Sequence, residues 1–190
     1  MKQLLAYFST RLHLSTADQA LVQEYFIQEQ QPSNTNMLKI GQVERYVYFL
    51  KKGIVRGYQN QNGKIVVGHL VGENNFFGSL DSFISEAPSL DAFEAITDIE
   101  YYKIAKPDFE LLKSHSTQWG DLINNIINEM LLCKMSRIKD FQTLTAKERY
   151  LKFLEESPDL ALQVSVENMA SYLGIEAPSL SRIRKQIMAR

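Results

Sequence analysis

Cysteine is almost absent from this sequence, in which Cys133 is the only one among 190 residues. A single thiol excludes a disulfide framework, an iron–sulfur cluster and a zinc site with several thiolate ligands. Such cysteine usage fits a reducing cytoplasm. His69 is the candidate axial ligand for a haem, and His69 with Glu73 is the candidate pair for a metal ion. A strand histidine without a ligand role is the simpler interpretation. We therefore expect no metal site and no resident cofactor.

Long apolar runs and catalytic residue sets are also missing. No stretch of 18 apolar residues occurs, and Arg11 and His13 interrupt the N-terminal segment MKQLLAYFSTRLHLS before it could form a signal peptide. No Ser/His/Asp, Cys/His or paired-carboxylate set appears in a context that would orient it. These absences predict a globular protein that is neither an enzyme nor a membrane partner.

Charge is distributed unevenly along the chain. Residues 1–112 contain ten Lys and Arg against thirteen Asp and Glu, whereas residues 113–190 contain eleven against nine. From Leu160 onward there are two acidic residues and four basic ones, namely Arg182, Arg184, Lys185 and Arg190. Positive charge at one end suits contact with a polyanion, although a solvated helix with unevenly placed charges would look the same.

The region from Asn36 to Ile104 has the pattern of short strands. Runs rich in Val, Ile, Tyr and Phe, such as YVYFLKKG and KIVVGHLVG, are separated by glycines. This spacing predicts a small antiparallel barrel or sandwich. Asn62 and Gly63 can take the positive φ angles of a two-residue hairpin turn. Before this region, Ser15 with Asp18 at the third following position predicts the start of a helix.

A long amphipathic helix is predicted after the strands. Apolar residues recur at steps of three and four from Gln118 to Phe141, which predicts a helix of about 24 residues and about 36 Å. A small barrel cannot cover a stripe of that length, so we expect part of it to pair with a second copy; burial inside the protomer is the alternative. The predicted dimer interface consists of Trp119, Leu122, Ile123, Ile126, Ile127, Met130 and Ile138.

The C-terminal segment has the pattern of a helix-turn-helix. Thr145 and Glu148 form a capping-box pattern, which predicts a new helix and a boundary near residues 142–144. In NMASYLGIEAPSLSRIRKQIMAR, two short helices flank Gly174, which suits a left-handed turn, and Pro178 is compatible with the first turn of the second helix. The candidate DNA-contacting residues of that second helix are Ser179, Ser181, Arg182, Arg184, Lys185 and Gln186.

The order of these elements, together with four sequence blocks, resembles the Crp/Fnr family of bacterial transcription regulators. The blocks are YFLKKGIVRGY (48–58), NGK (62–64), NNFFGSLDSFI (74–84) and MASYLGIEAPSLSRIRKQI (169–187). The resemblance implies an α+β fold. Residues 1–142 would form an antiparallel β-roll of the double-stranded jelly-roll type with flanking helices, including a dimerisation helix at about 116–142. Residues 143–190 would form a small helix-turn-helix domain without an obvious β-wing.

The resemblance also locates an effector pocket that departs from the family pattern. Family members that bind cyclic AMP have a Gly-Glu-Leu motif for the ribose and an Arg-Ser or Arg-Thr pair for the cyclic phosphate. Here the first motif reads Gly78, Ser79, Leu80, and the phosphate positions hold Ser89 and Leu90. Arg56 is the arginine that could turn toward this pocket. A buried phosphate without a cation is costly, so we expect a different effector, or none, in place of cyclic AMP.

We therefore expect a homodimeric transcription regulator that binds a palindromic DNA site, with RNA polymerase as a further partner. The alternative is a ligand-binding or scaffold protein with a vestigial helix-turn-helix. Ala177 and Pro178 motivate this alternative, because they stand where a reading helix would be expected to present its first polar side chains.

Overall fold

The structure is a computed structural model that describes residues 1–188. Ala189 and Arg190 lie outside the described residues, so the last basic residue counted above has no structural account. The strands are β1 (Ile27–Gln31), β2 (Thr35–Leu38), β3 (Tyr46–Lys52), β4 (Val55–Gln61), β5 (Lys64–Val71), β6 (Asn75–Phe77), β7 (Ala92–Ala95) and β8 (Ile99–Ala105).

Helices lie on both sides of the strand region. They are α1 (Lys2–Ser9), α2 (Thr16–Tyr25), α3 (Leu80–Ser85), α4 (Lys106–His115), α5 (Thr117–Thr143), α6 (Ala146–Glu156), α7 (Pro158–Gln163), α8 (Val166–Leu173) and α9 (Ala177–Met188). None of the helices in the described part of the chain combines the length and hydropathy needed to span a bilayer.

Two four-stranded antiparallel sheets form the predicted β-roll. Their strand orders are β1-β8-β3-β6 and β2-β7-β4-β5. The β4–β5 hairpin turns at Asn62 and Gly63, whose φ angles of 55° and 89° confirm the predicted turn. Side chains such as Leu50, Val55 and Phe93 fill the interior between the sheets. Strand β5 lies at the edge of its sheet and pairs only with β4.

Strand β1 precedes the region in which the sequence predicted strands. Its sequence, IQEQQ, has little apolar character, but it pairs with β8 from Ile27 opposite Lys103 to Gln31 opposite Ile99. Because its strand conformation depends on that pairing, the local hydrophobic pattern gave no signal for it.

A second core lies outside the roll, where α1, α2, α4 and the first half of α5 pack on the first sheet. Trp119 is buried there, with its ring 5.4 Å from that of Phe8 and its indole N–H donating to Asp18 Oδ1 over 2.7 Å. The sequence assigned part of this helix to a dimer interface. That assignment is corrected for four residues, which are at most 5% exposed inside the protomer and leave no surface for a partner: Trp119, Leu122, Ile123 and Ile126.

The C-terminal helices (α6–α9) pack around a third apolar cluster. Thr145 caps α6 through the predicted capping box with Glu148. Met169, Leu173 and Leu180 form the centre of the cluster and are at most 3% exposed. Ile54, which follows β3 in the roll, is buried in the same cluster. The C-terminal helices therefore share part of their apolar core with the roll.

Candidate effector pocket and DNA-contacting surface

The predicted pocket contains a buried pair of hydroxyl groups. Ser79 and Ser89 are at most 1% exposed, and their Oγ atoms lie 2.8 Å apart. Ser89 Oγ also lies 2.8 Å from the carbonyl oxygen of Asp91 and accepts the Asp91 backbone N–H. These contacts satisfy the hydroxyl groups within the protein. Leu80 is buried beside them, whereas Leu90 points outward and is 70% exposed.

Two buried carboxylates lie in the same region and were not identified from the sequence. Glu44 is 2% exposed and accepts hydrogen bonds from the backbone N–H of Tyr46 and of Ser79 and from the Tyr48 hydroxyl. Burial raises the pKa of Glu44, and these hydrogen bonds oppose that rise. Asp91 accepts a hydrogen bond of 2.8 Å from Gln59. An acidic residue two positions before an apolar strand was the one sequence signal for Glu44.

Glu44 also lies against the turn at Gly78. Gly78 has a φ of 146°, and a Cβ at this position would lie 3.6 Å from Glu44 Oε2. The motif at residues 78–80 therefore has a carboxylate beside it, supplied by a residue more than thirty positions earlier in the chain. This carboxylate accepts hydrogen bonds from the backbone N–H groups of Tyr46 and Ser79.

Arg56 does not join the pocket. Its guanidinium donates two hydrogen bonds to Glu94 Oε2, at 3.1 and 2.8 Å, and a third to Asn168 Oδ1 at 2.7 Å. In β4, the neighbours Val55 and Gly57 are buried, so Arg56 alternates to the outer face of the sheet. Arg56 thus connects the roll to α8 and does not supply a cation beside Ser79 and Ser89.

A cavity of about 910 Å³ lies between β5, the middle of α5 and the C-terminal helices. Its wall includes His69, Phe93, Cys133, Lys134 and Arg137. Burial lowers the pKa of His69 to about 4, with a smaller contribution from the positive charge of Lys134, so the imidazole is neutral at pH 7. No group of three or more His, Cys, Asp or Glu side chains suited to a metal ion occurs among residues 1–188.

The segment predicted to be a helix-turn-helix contains α8, a left-handed turn at Gly174 and α9. Gly174 has φ 66° and ψ 36°, and the Ile175 N–H bonds to the Ala170 carbonyl to close the turn. Pro178 lies in the first turn of α9 and Leu180 is fully buried beneath it. The outer face of α9 exposes four of the predicted DNA-contacting residues, which are Ser181, Arg182, Lys185 and Gln186.

The other two predicted DNA-contacting residues are less accessible. Ser179 is half-buried and accepts a hydrogen bond from Arg182 Nη2 at 3.2 Å. Arg184 is turned toward the C-terminal core, where its Nη2 lies 3.1 Å from Met169 Sδ and its guanidinium lies 5.7 Å from the Tyr150 ring centroid. Arg184 thus does not face outward with Arg182 and Lys185.

The second half of α5 carries an exposed apolar surface. Ile138, one of the predicted interface residues, is 59% exposed, while Ile127 and Met130 are half-buried at the edge of the second core. Leu132 and Met135, which the predicted interface did not include, are 62% and 64% exposed. Leu131 and Phe141 belong to the same half of the helix and are 43% and 40% exposed.

Comparison with known proteins finds a family model that is similar to the first part of the chain. Residues 28–115 match the family model of the cyclic nucleotide-binding domain. No curated protein matches the chain.

Solved structures extend the likeness to the whole fold. FixK2 from Bradyrhizobium japonicum superposes with a TM-score of 0.77 at 20% identity, covering 86% of this chain and 85% of that one. CLP, a c-di-GMP-responsive global regulator from Xanthomonas campestris, gives 0.69 at 15% identity, with 92% of both chains covered. A putative Crp/Fnr-family transcriptional regulator from Eubacterium rectale gives 0.68 at 16% identity and covers 97% of this chain and 88% of that one. The chain is thus similar to the cyclic nucleotide-binding domain over residues 28–115 and has the fold of the Crp/Fnr-type regulators, as its sequence blocks predicted.

Proposed function

We propose that the protein is a homodimeric, sequence-specific DNA-binding transcription regulator with no catalytic activity. The observation that supports this most directly is the outer face of α9, where Arg182 and Lys185 are exposed beside Ser181 and Gln186. Exposed arginine and lysine on the second helix of a helix-turn-helix suit phosphate and guanine contacts in the major groove. In this proposal residues 143–190 form the DNA-binding domain, and the segment around Leu144 is the hinge that joins it to α5.

Dimerisation would use the exposed second half of α5. Leu131, Met135 and Ile138 follow each other at steps of four and three, which is the spacing of a two-stranded coiled-coil seam. Pairing of this face in two copies would cover side chains that are 43–64% exposed in the protomer. A dimer with two recognition helices about 34 Å apart would match a palindromic site with half-sites one helical turn apart.

The effector would be a molecule other than cyclic AMP, if the protein has one. Ser79 and Ser89 occupy the two motif positions and bond to each other, and the carboxylates Glu44 and Asp91 are buried in the same region. A cyclic phosphate placed there would meet acids in place of a bidentate cation, and Arg56 is held outside by Glu94. We therefore propose that cyclic AMP at saturating concentration leaves the thermal stability of the protein unchanged.

DNA binding can be tested with a random-sequence duplex pool, followed by anisotropy titrations on the enriched duplex. We expect affinity to fall steeply between about 50 and 200 mM salt, because each neutralised phosphate releases counterions. Arg182→Gln should weaken binding by about 1–3 kcal/mol if the arginine reads guanine. The matched control is Lys52→Gln, which removes an exposed cation from the roll.

The same titrations test the scaffold alternative. Arg184 turns inward, which leaves Arg182 and Lys185 as the cations on the described outer face of α9. A scaffold protein would show no salt-sensitive retention on any duplex. Equal effects of Arg182→Gln and Lys52→Gln would also contradict specific reading by α9, because the loss would then reflect overall charge.

A further inference from the structure

The outer edge of β5 is covered by a helix of the C-terminal unit. As an edge strand, β5 has main-chain groups on one side without a strand partner. Ser171 in α8 lies against this edge: its Oγ accepts the Val67 N–H at 2.9 Å and donates to the Ile65 carbonyl at 3.2 Å. One hydroxyl group therefore takes the place of a neighbouring strand.

Arg137, in α5, bonds to both β5 and α8. Its Nη1 bonds to the Gly68 carbonyl, and its Nη2 donates to the carbonyls of Val67 and Tyr172 at 2.8 and 2.9 Å. Tyr172 lies in the last turn of α8, where unpaired carbonyl groups carry partial negative charge. A single guanidinium thus bonds to the roll and to the helix-turn-helix at the same time.

The bonds of Arg137 are of a kind that water can replace. Within residues 1–188, Arg137 has no carboxylate within ion-pair distance, and its Nε is buried without a partner. Opening a buried ion pair would leave a carboxylate to be satisfied, whereas carbonyls and a guanidinium on a surface are readily hydrated. Hydration of the bonds that Arg137 makes therefore costs less than the breaking of a buried ion pair would.

Two further contacts span the same junction. Arg56 bonds to Asn168 at the start of α8, and Lys64 pairs with Glu176 at 3.0 Å in an exposed ion pair. The large cavity is adjacent, since Gly68, Arg137 and Tyr172 also form part of its wall. Residues that hold α8 on β5 are therefore accessible from the cavity.

We infer that Arg137 and Ser171 form a releasable latch that holds the C-terminal helices on the edge of β5. The outer face of α9 stays exposed while the latch is closed. The latch would therefore affect the orientation of α9 relative to the roll and would not cover it. The inference rests on contacts within one protomer and stands whether or not the protein binds DNA.

Amide hydrogen–deuterium exchange of the whole chain tests the latch. In Arg137→Gln we expect exchange in residues 64–68 and 166–173 to be about tenfold faster or more, because charge-assisted hydrogen bonds across the junction are lost. Exchange in 47–50 and 101–104, inside the roll, should not change. Lys139→Gln is the matched control, since it removes an exposed cation from the same helix.

Ser171→Ala tests the same contact between α8 and β5 independently. It removes the hydroxyl group that bonds to β5 without changing charge, and we expect faster exchange mainly at the Val67 amide. No change in either variant would overturn the latch. Faster exchange throughout the roll in both variants would overturn it as well, because the two residues would then be general supports of the fold. Faster exchange confined to the two segments would support it.

Discussion

The two halves of α5 share one apolar periodicity but have different surroundings. In the first half, Trp119 to Ile126, the apolar side chains are at most 5% exposed because α1, α2 and the first sheet cover them. In the second half, Leu131, Leu132, Met135, Ile138 and Phe141 are 40–64% exposed. Periodicity therefore identifies the apolar face of a helix, and the tertiary fold decides which part of that face is left for a second copy.

Among the variants that test this comparison, Trp119→Ala should cause the largest loss of stability. The variant removes a fully buried indole and its hydrogen bond to Asp18, so we expect a loss of about 3–5 kcal/mol in the free energy of unfolding. Urea denaturation measures it. Met135→Ala in the exposed half is the control, and when both changes are measured in the monomeric Ile138→Glu background it should alter stability by no more than about 0.5 kcal/mol. Equal losses in both variants would contradict the contrast between the halves.

Ile138→Glu should break the proposed dimer without unfolding the protomer. Placing a carboxylate on both sides of an apolar seam should weaken self-association by about 100-fold, or about 2.7 kcal/mol. Sedimentation velocity over a micromolar range measures this. Leu162→Glu, at an 86% exposed position in α7, is the control and should remain dimeric. A wild-type protein that is monomeric throughout that range would rule out the interface.

Gly174→Ala probes where the exposed half of α5 meets the helix-turn-helix. Gly174 has a positive φ, and a Cβ there would lie 2.5 Å from Cε1 of Phe141. We expect a loss of about 1–3 kcal/mol, measured by thermal unfolding. In the Phe141→Ala background the loss from Gly174→Ala should be smaller, because the strain at φ remains but the clash is gone. An unchanged loss there would show that Phe141 does not press on the turn.

The smallest expected effect is on the pH dependence of stability, through Asp18, which accepts a hydrogen bond from Trp119 in the buried half. Hydrogen bonds from Ser15 and from Trp119 hold the pKa of Asp18 below its ordinary value of 3.8. A lowered folded-state pKa stabilises the protein above the unfolded-state pKa, and this contribution disappears as pH falls through the folded value. Asp18→Asn should therefore cost up to about 1 kcal/mol at pH 7. The difference from wild type should shrink below pH 4, as followed by urea denaturation at several pH values.

Local signals in the sequence predicted much of the fold. The capping residues Ser15 and Thr145, the turn at Asn62 and Gly63, and the left-handed Gly174 were all identified from neighbours a few positions away, and the structure confirms them. These features depend on short-range hydrogen bonds and backbone preferences, which a sequence displays directly. Strand β1 was missed because its conformation depends on β8, which is about seventy residues away.

The candidate site was predictable only in part for the same reason. The resemblance located Ser79 and Ser89, but it did not show that they bond to each other or that Glu44 lies beside them. The roles of Arg56 and Arg137 depend on partners more than thirty residues away in the chain. Such contacts follow from the packing of whole elements, for which a single sequence carries no local pattern.

Because one half of α5 is buried, a small tilt of that half would displace the far end of the helix by a larger distance. The helix from Ile127 to Thr143 extends for about 25 Å beyond its fully buried part, at 1.5 Å per residue. A tilt of about 5° of that part would therefore displace the far end by about 2 Å over that length. A displacement of this size would move Phe141 away from the turn at Gly174. It would also lengthen the hydrogen bonds of Arg137, which weaken when they are stretched.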